Sequence, residues 1–218
     1  MNRLNTQLVH VNISPTITAR AVEEAVRQTK AYGLAGLCLP PFWINKARRE
    51  LRATGTALIT VVGHPYGYQM TQTKTAEMQQ AIADGASELQ LALNLSALKS
   101  GMPWVKIEIA KCATLAHQHE VLLTVGLDLA YLNEAEATAV ATQCADAGAD
   151  GVQLLTEGVA KEVVLSMVDR LRNGLPTSVT LEVQREVSQA QAQALLQLGV
   201  ERIATPTAVS LVSDEKQR

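Results

Sequence analysis

His64 lies in Gly63-His64-Pro65-Tyr66-Gly67, directly after a β-branched run, and an imidazole there can give or take a proton near neutral pH. Asp128, at the end of the apolar run Val121–Leu127, is a carboxylate that could partner it. Gln90 and Asn94 fall on one face of a strand, and Gln153 sits in the middle of another; these amides can bind polar groups but are poor nucleophiles. Arg185 is a candidate side-chain ligand for an anion, with a surface role as the alternative. Lys74 stands near the start of a helix pattern and Lys99 in the loop after the fourth strand. His117-Gln118-His119-Glu120 puts its two imidazoles at i and i+2, on different faces of a helix, so no metal site is expected there. Cys38, Cys112 and Cys144 are odd in number and widely spaced, which fits reduced, buried thiols.

The elements that position these groups follow one repeated unit. Ala147–Gly158 reads as the end of a helix at Gly148, a buried strand over Gly151–Leu155, and a small loop Thr156-Glu157-Gly158. Gly33, Gly85 and Gly199 likewise precede apolar runs. Strands are expected at Leu8–Ile13, Gly36–Leu39, Ala57–Val62, Glu88–Asn94, Val121–Leu127, Gly151–Leu155, Ser178–Val183 and Arg202–Ala204. Helices are expected from Thr18 to Tyr32, Ile44 to Ala53, Thr71 to Asp84, Gly101 to Glu120, Asn133 to Ala147, Ala160 to Asn173 and Ser188 to Leu198. Strand–helix alternation implies a parallel sheet with right-handed crossovers. Eight units in this length predict an α/β chain closed into a single (β/α)8 TIM barrel over 1–212, with 213–218 as a disordered tail.

At 218 residues and 47% hydrophobic, the chain can bury one full core. A net charge of −2 leaves no electrostatic footprint for nucleic acid or an anionic membrane. No apolar run reaches the roughly 20 residues of a membrane span, and the start MNRLNTQLVHVN lacks a signal-peptide core, so a cytoplasmic protein is expected.

In such a barrel, function sits at the C-terminal ends of the strands. Taking Asn94 as inward puts Gln90 and Ala92 on the same face; Gln153 turns inward from the sixth strand, and Leu181 and Val183 from the seventh. The mouth then holds amides, hydroxyls and apolar groups, and no lysine.

Thr60–Gly67, TVVGHPYG, resembles the TVVGFPxG run of the deoxyribose-phosphate aldolase family. Leu37-Cys38-Leu39-Pro40-Pro41 resembles that family's VCV-x-P segment, Ala97-Leu98-Lys99-Ser100-Gly101 its loop after the fourth strand, and Ala147–Asp150 its AGAD. The resemblance covers nearly the whole chain and implies a class I aldolase on a (β/α)8 barrel. It also implies a lysine nucleophile in a VKTSTG motif, where this chain has Gln153, whose amide nitrogen cannot form an iminium ion. The family's acid–base aspartate falls on Gln90, its second lysine on Leu181, its first-strand aspartate on Val9, and a fifth-strand lysine on Thr124. Losing one member of a buried charge cluster costs roughly 3–5 kcal/mol, whereas losing both signs together leaves a neutral site.

The resemblance places phosphate on Gly-rich loops after the seventh and eighth strands. Here Gln184-Arg185 and Ala204-Thr205-Pro206-Thr207 stand there, Pro206 lacks an N–H, and Glu157 opposes an anion, while Thr156 and Gly158 remain. The expectation is a family homologue with no catalytic residue, no cofactor and no metal. It would bind a small polar carbonyl or sugar-like metabolite through Gln90, Asn94, Asp128, Gln153, Thr156, Gly158, His64 and Arg185, and form a homodimer. Two alternatives stand beside it: a working aldolase or lyase on a deoxyribose-5-phosphate-like or other carbonyl substrate through a different residue, and a structural or regulatory partner of an active paralogue.

Overall fold

The computed structural model describes residues 4–51 and 54–216, the last three by their backbone. Each strand leads into a helix: β1 Leu8–Val11, α1 Ala19–Tyr32, β2 Gly36–Leu39, α2 Ile44–Leu51, β3 Ala57–Val62, α3 Thr71–Asp84, β4 Glu88–Ala92, α4 Leu95–Lys99 and α5 Trp104–Gln118. There follow β5 Leu122–Asp128, α6 Glu134–Asp146, β6 Gly151–Leu155, α7 Lys161–Gly174, β7 Thr180–Gln184, α8 Gln189–Gln197, β8 Arg202–Thr205 and α9 Ala208–Lys216. The strands pair in parallel in sequence order and β8 returns to β1, closing the expected (β/α)8 barrel.

Alternation along the strands sorts the side chains into two apolar bodies. Leu37, Leu58, Leu89, Leu123, Val152 and Ile203 face outward and pack with Val22, Ile44, Met78, Ile109, Val140, Val164 and Leu195 of the helices. Each such burial contributes about 1.5–3 kcal/mol, so this outer layer dominates the stability. A smaller body, Val9, Val11, Cys38, Ile59, Val61 and Ala204, faces the lumen.

Local chemistry sets the ends. Thr18 caps α1 by accepting from the Ala21 N–H, and Gly33 ends it at φ 61°. Asn133 and Glu136 form a reciprocal capping box on α6. The helix expected over 101–120 is α5, opened by Pro103; ahead of it lies a short α4 that was not expected, capped by Asn94, and the chain turns between the two at Gly101 with φ 66°. The last helix reaches Lys216 and so takes in the start of the segment expected as a tail; residues 217–218 lie outside the described residues. The same holds for Met1–Arg3 and for Arg52 and Ala53, the expected end of α2.

The loop after β3 shows why Gly67 is glycine. Its φ is +66°, and a Cβ built there would lie 2.2 Å from the Leu93 carbonyl oxygen. Gly67→Ala therefore combines a left-handed penalty of about 1–2 kcal/mol with a clash against backbone that cannot swing aside. Urea unfolding is expected to give a midpoint loss equivalent to at least ~2 kcal/mol; an unchanged midpoint would mean the loop is not seated on β4 as described.

Candidate functional site

Register fixes which side chains share the lumen. Val61 stands beside Gln90, Gln90 beside Thr124, Gly126 beside Gln153, Gln153 beside Glu182, and Glu182 beside Arg202. At the floor, toward the N-terminal ends of the strands, the Arg202 guanidinium forks two carboxylates. Its Nη1 donates to Glu88 Oε1 at 2.8 Å, its Nη2 to Glu88 Oε2 at 2.5 Å, and its Nε to Glu182 Oε1 at 2.8 Å. Gln153 Nε2 adds a bond to Glu182 Oε2 at 3.2 Å. Burial pushes the Glu182 carboxyl above its ordinary range, and Arg202 offsets only part of that. Burial opposes the charge on Arg202 as well, yet Glu88 and Glu182 hold its pKa above the usual value.

This cluster corrects two expectations. Leu181 and Val183 do not face inward: both belong to the outer body beneath the helices, and Glu182 is the strand-seven residue beside Gln153. The lumen is also not neutral, because it carries Glu88, Glu182 and Arg202. The physical reason is that the outer face of the barrel is the larger apolar surface, so the apolar half of Thr180–Gln184 turns out and the polar half turns in. Sequence reasoning passed over all three charged residues. The alternation that put Gln90 inward would also have put Glu88 inward, two residues earlier.

Above the floor, Gln153 is 1% exposed. Gln90 is buried across the lumen, where its Oε1 accepts from Cys38 Sγ at 3.6 Å. Burial pushes the Cys38 thiol up to about 12, so it carries no thiolate near neutral pH. Val9 and Thr124 also lie in the lumen, the first within its apolar body and the second beside Gln90.

A cavity of about 310 Å³ opens at the mouth, over the C-terminal ends of β1, β6, β7 and β8. Thr156 and Arg185 line it together with Asn12, Ser14, Glu157, Gln184, Glu186 and Pro206. Leu155, two residues after Gln153 on the same face of β6, also lines it, while Gln153 itself does not. Thr156 is committed to Gln184, its Oγ1 donating to that carbonyl at 3.2 Å. The other candidates stand apart from the cavity. Asn94 accepts from the Ala97 N–H at 3.1 Å as the cap of α4, and Asp128 accepts from the Ala130 N–H at 2.9 Å. Gly158 is the left-handed turn after β6, with φ 70°. His64 lies in the exposed loop after β3, where partial desolvation lowers its pKa; among the described residues no hydrogen bond joins it to Asp128.

Lys74 is the one fully buried lysine among the described residues, and it lies outside the ring of strands. Its Nζ bonds Glu108 Oε1 at 2.6 Å and the Ala92 carbonyl at 2.9 Å, and Thr71 donates to the other Glu108 oxygen. That bonding fixes α3 and α5 to the end of β4. Lys99 is exposed and pairs with Glu136. His117 bonds Asp150 at 2.9 Å on the opposite end of the barrel from the mouth.

The floor cluster generates two predictions. Arg202→Met leaves two buried carboxylates without their cation and is expected to cost about 3–5 kcal/mol in denaturant unfolding; a loss below ~1 kcal/mol would mean the fork does not support the barrel. A carboxyl raised by folding contributes stability that is full below its unfolded value, about 4.3, and is lost as pH rises through the folded value. Glu182→Gln cannot ionise, so its stability relative to the native chain is expected to rise as pH climbs from 4 to 7. A pH-independent difference would contradict the raised carboxyl.

No family model matches the chain. It is 28% identical over 215 residues to a deoxyribose-phosphate aldolase of Brevibacillus brevis, covering 98% of this chain and 96% of that one. A deoxyribose-phosphate aldolase of Enterococcus faecalis is also 28% identical over 212 residues, with 96% of each chain covered. Among solved structures, an aldolase termed QR15 superposes with a TM-score of 0.91 at 24% identity, over 100% of this chain and 98% of that one. A tetrameric deoxyribose phosphate aldolase of Aeropyrum pernix gives 0.84 at 23% identity, over 98% and 91%. From end to end, then, the chain is a homologue of the deoxyribose-phosphate aldolases.

Proposed function

We propose that this chain does not act as a Schiff-base aldolase through its sixth strand, and that it binds a small polar, carbonyl- or sugar-like metabolite at the barrel mouth. The observation that carries the reading is Gln153. An amide, hydrogen-bonded to Glu182 and 1% exposed, occupies the position where the family resemblance calls for the nucleophilic lysine. An amide nitrogen delocalised into its carbonyl forms no iminium ion. Lys74, bonded to Glu108 and to the Ala92 carbonyl outside the strands, is poorly placed to substitute. The cavity at the ends of β1, β6, β7 and β8 is where barrels of this class bind ligands, and its polar side chains suit a hydroxylated molecule.

A homodimer accompanies this reading. Large apolar side chains are exposed in the segments that follow β2 to β5: Phe42 at 84%, with Tyr68, Met70 and Tyr131, and Trp104 at 64%. Apolar surface of that kind, on the rim away from the cavity, suits a subunit contact. No helix of the described residues is long and apolar enough to cross a membrane.

Borohydride trapping with deoxyribose 5-phosphate and with acetaldehyde, read by intact mass, tests the chemistry. No adduct is expected on the native chain. Gln153→Lys is also expected to stay unlabelled near neutral pH, because Glu182 would hold the new amine as ammonium. An adduct on the native chain, mapped to any lysine, would overturn the proposal in favour of a working aldolase.

A further inference from the structure

Resting on that binding reading and going beyond it, we propose that the mouth cavity takes a small zwitterion: a polyol-sized molecule carrying one carboxylate and one ammonium group. The cavity wall brings together one cation, Arg185, and two anions, Glu157 and Glu186. None of these three side chains forms a hydrogen bond or an ion pair among the described residues. Charges of both signs that line one cavity without pairing are available to an occupant. The unpaired Arg185 guanidinium favours an occupant with an anionic or strongly accepting group. Glu157 and Glu186, both exposed on the same wall, favour a cationic donor.

Charge selects among the candidates. The three side chains sum to −1, so a phosphate ester dianion would be held against two carboxylates, and Pro206 supplies no backbone N–H to it. An ammonium without a carboxylate would satisfy the glutamates and leave Arg185 without an anionic partner. A neutral sugar can hydrogen-bond these side chains through its hydroxyls but brings no opposite charge to any of the three. A zwitterion answers both signs, and the Asn12 and Gln184 amides on the same wall can bond hydroxyls on the remainder of the molecule. A cavity of about 310 Å³ admits a molecule of sugar size.

The test is calorimetric binding to the full chain of a matched set on one polyhydroxy skeleton: glucosaminate, gluconate, glucosamine and sorbitol, with deoxyribose 5-phosphate alongside. Glucosaminate is expected to bind at least about tenfold more tightly than any other member. Arg185→Gln should bring it down to the level of glucosamine, and the double substitution Glu157→Gln with Glu186→Gln to the level of gluconate. All three positions lie at the surface of the mouth, so folded variants are expected, and thermal unfolding checks them. Gluconate, sorbitol or deoxyribose 5-phosphate binding as tightly as glucosaminate would overturn the zwitterion and leave ligand binding at the mouth standing. Failure of every probe to bind would overturn both.

Discussion

Arg202 has to bridge two carboxylates inside a closed barrel, Glu182 beside it on β7 and Glu88 across the lumen at the start of β4. Separated from either partner, each of these groups would be a buried charge in a low-dielectric lumen. Together they hold β4, β7 and β8 at one level of the floor. A (β/α)8 lumen is a packed core, so whatever fills the floor sets how the layer above can be occupied. Here that layer begins with Gln153, whose amide completes the bonding of Glu182.

The arrangement gives the amide at the sixth strand a physical context. A lysine in place of Gln153 would fall beside a carboxylate and be favoured as ammonium, the form that does not attack a carbonyl. The glutamine instead supplies a neutral donor to a carboxyl that burial already pushes toward protonation. Charge has not left the lumen; it lies in a structural fork below the level at which a substrate would enter. The mouth differs in kind, because its charged side chains line open space without mutual pairing.

The barrel was legible in the sequence because strand–helix alternation and glycine stops recur through the chain, and these are local signals. Asn94 shows where local reading stops. As a residue following a strand it read as an inward ligand, and it is the cap of a short helix that only Gly101 and Pro103 together reveal. Leu181 shows a second limit: alternation establishes that Leu181 and Glu182 face opposite ways, but the side on which each lies depends on the helices packed outside. Arg202, Glu88 and Glu182 are far apart in sequence, so no spacing rule joins them until the barrel closes. Arg185 and Thr156 were within reach because both sit in loops directly after strands, where the fold itself gathers side chains at the mouth.

The function of this chain turns on whether its lumen still cleaves a carbon–carbon bond. The most direct measurement is acetaldehyde release from deoxyribose 5-phosphate, followed to long times at high protein concentration with Gln153→Ala run in parallel. Rates equal to buffer for both proteins are the predicted result. Turnover above buffer by the native chain, whether or not Gln153→Ala retains it, would contradict the account by showing that another group does the work of the missing lysine.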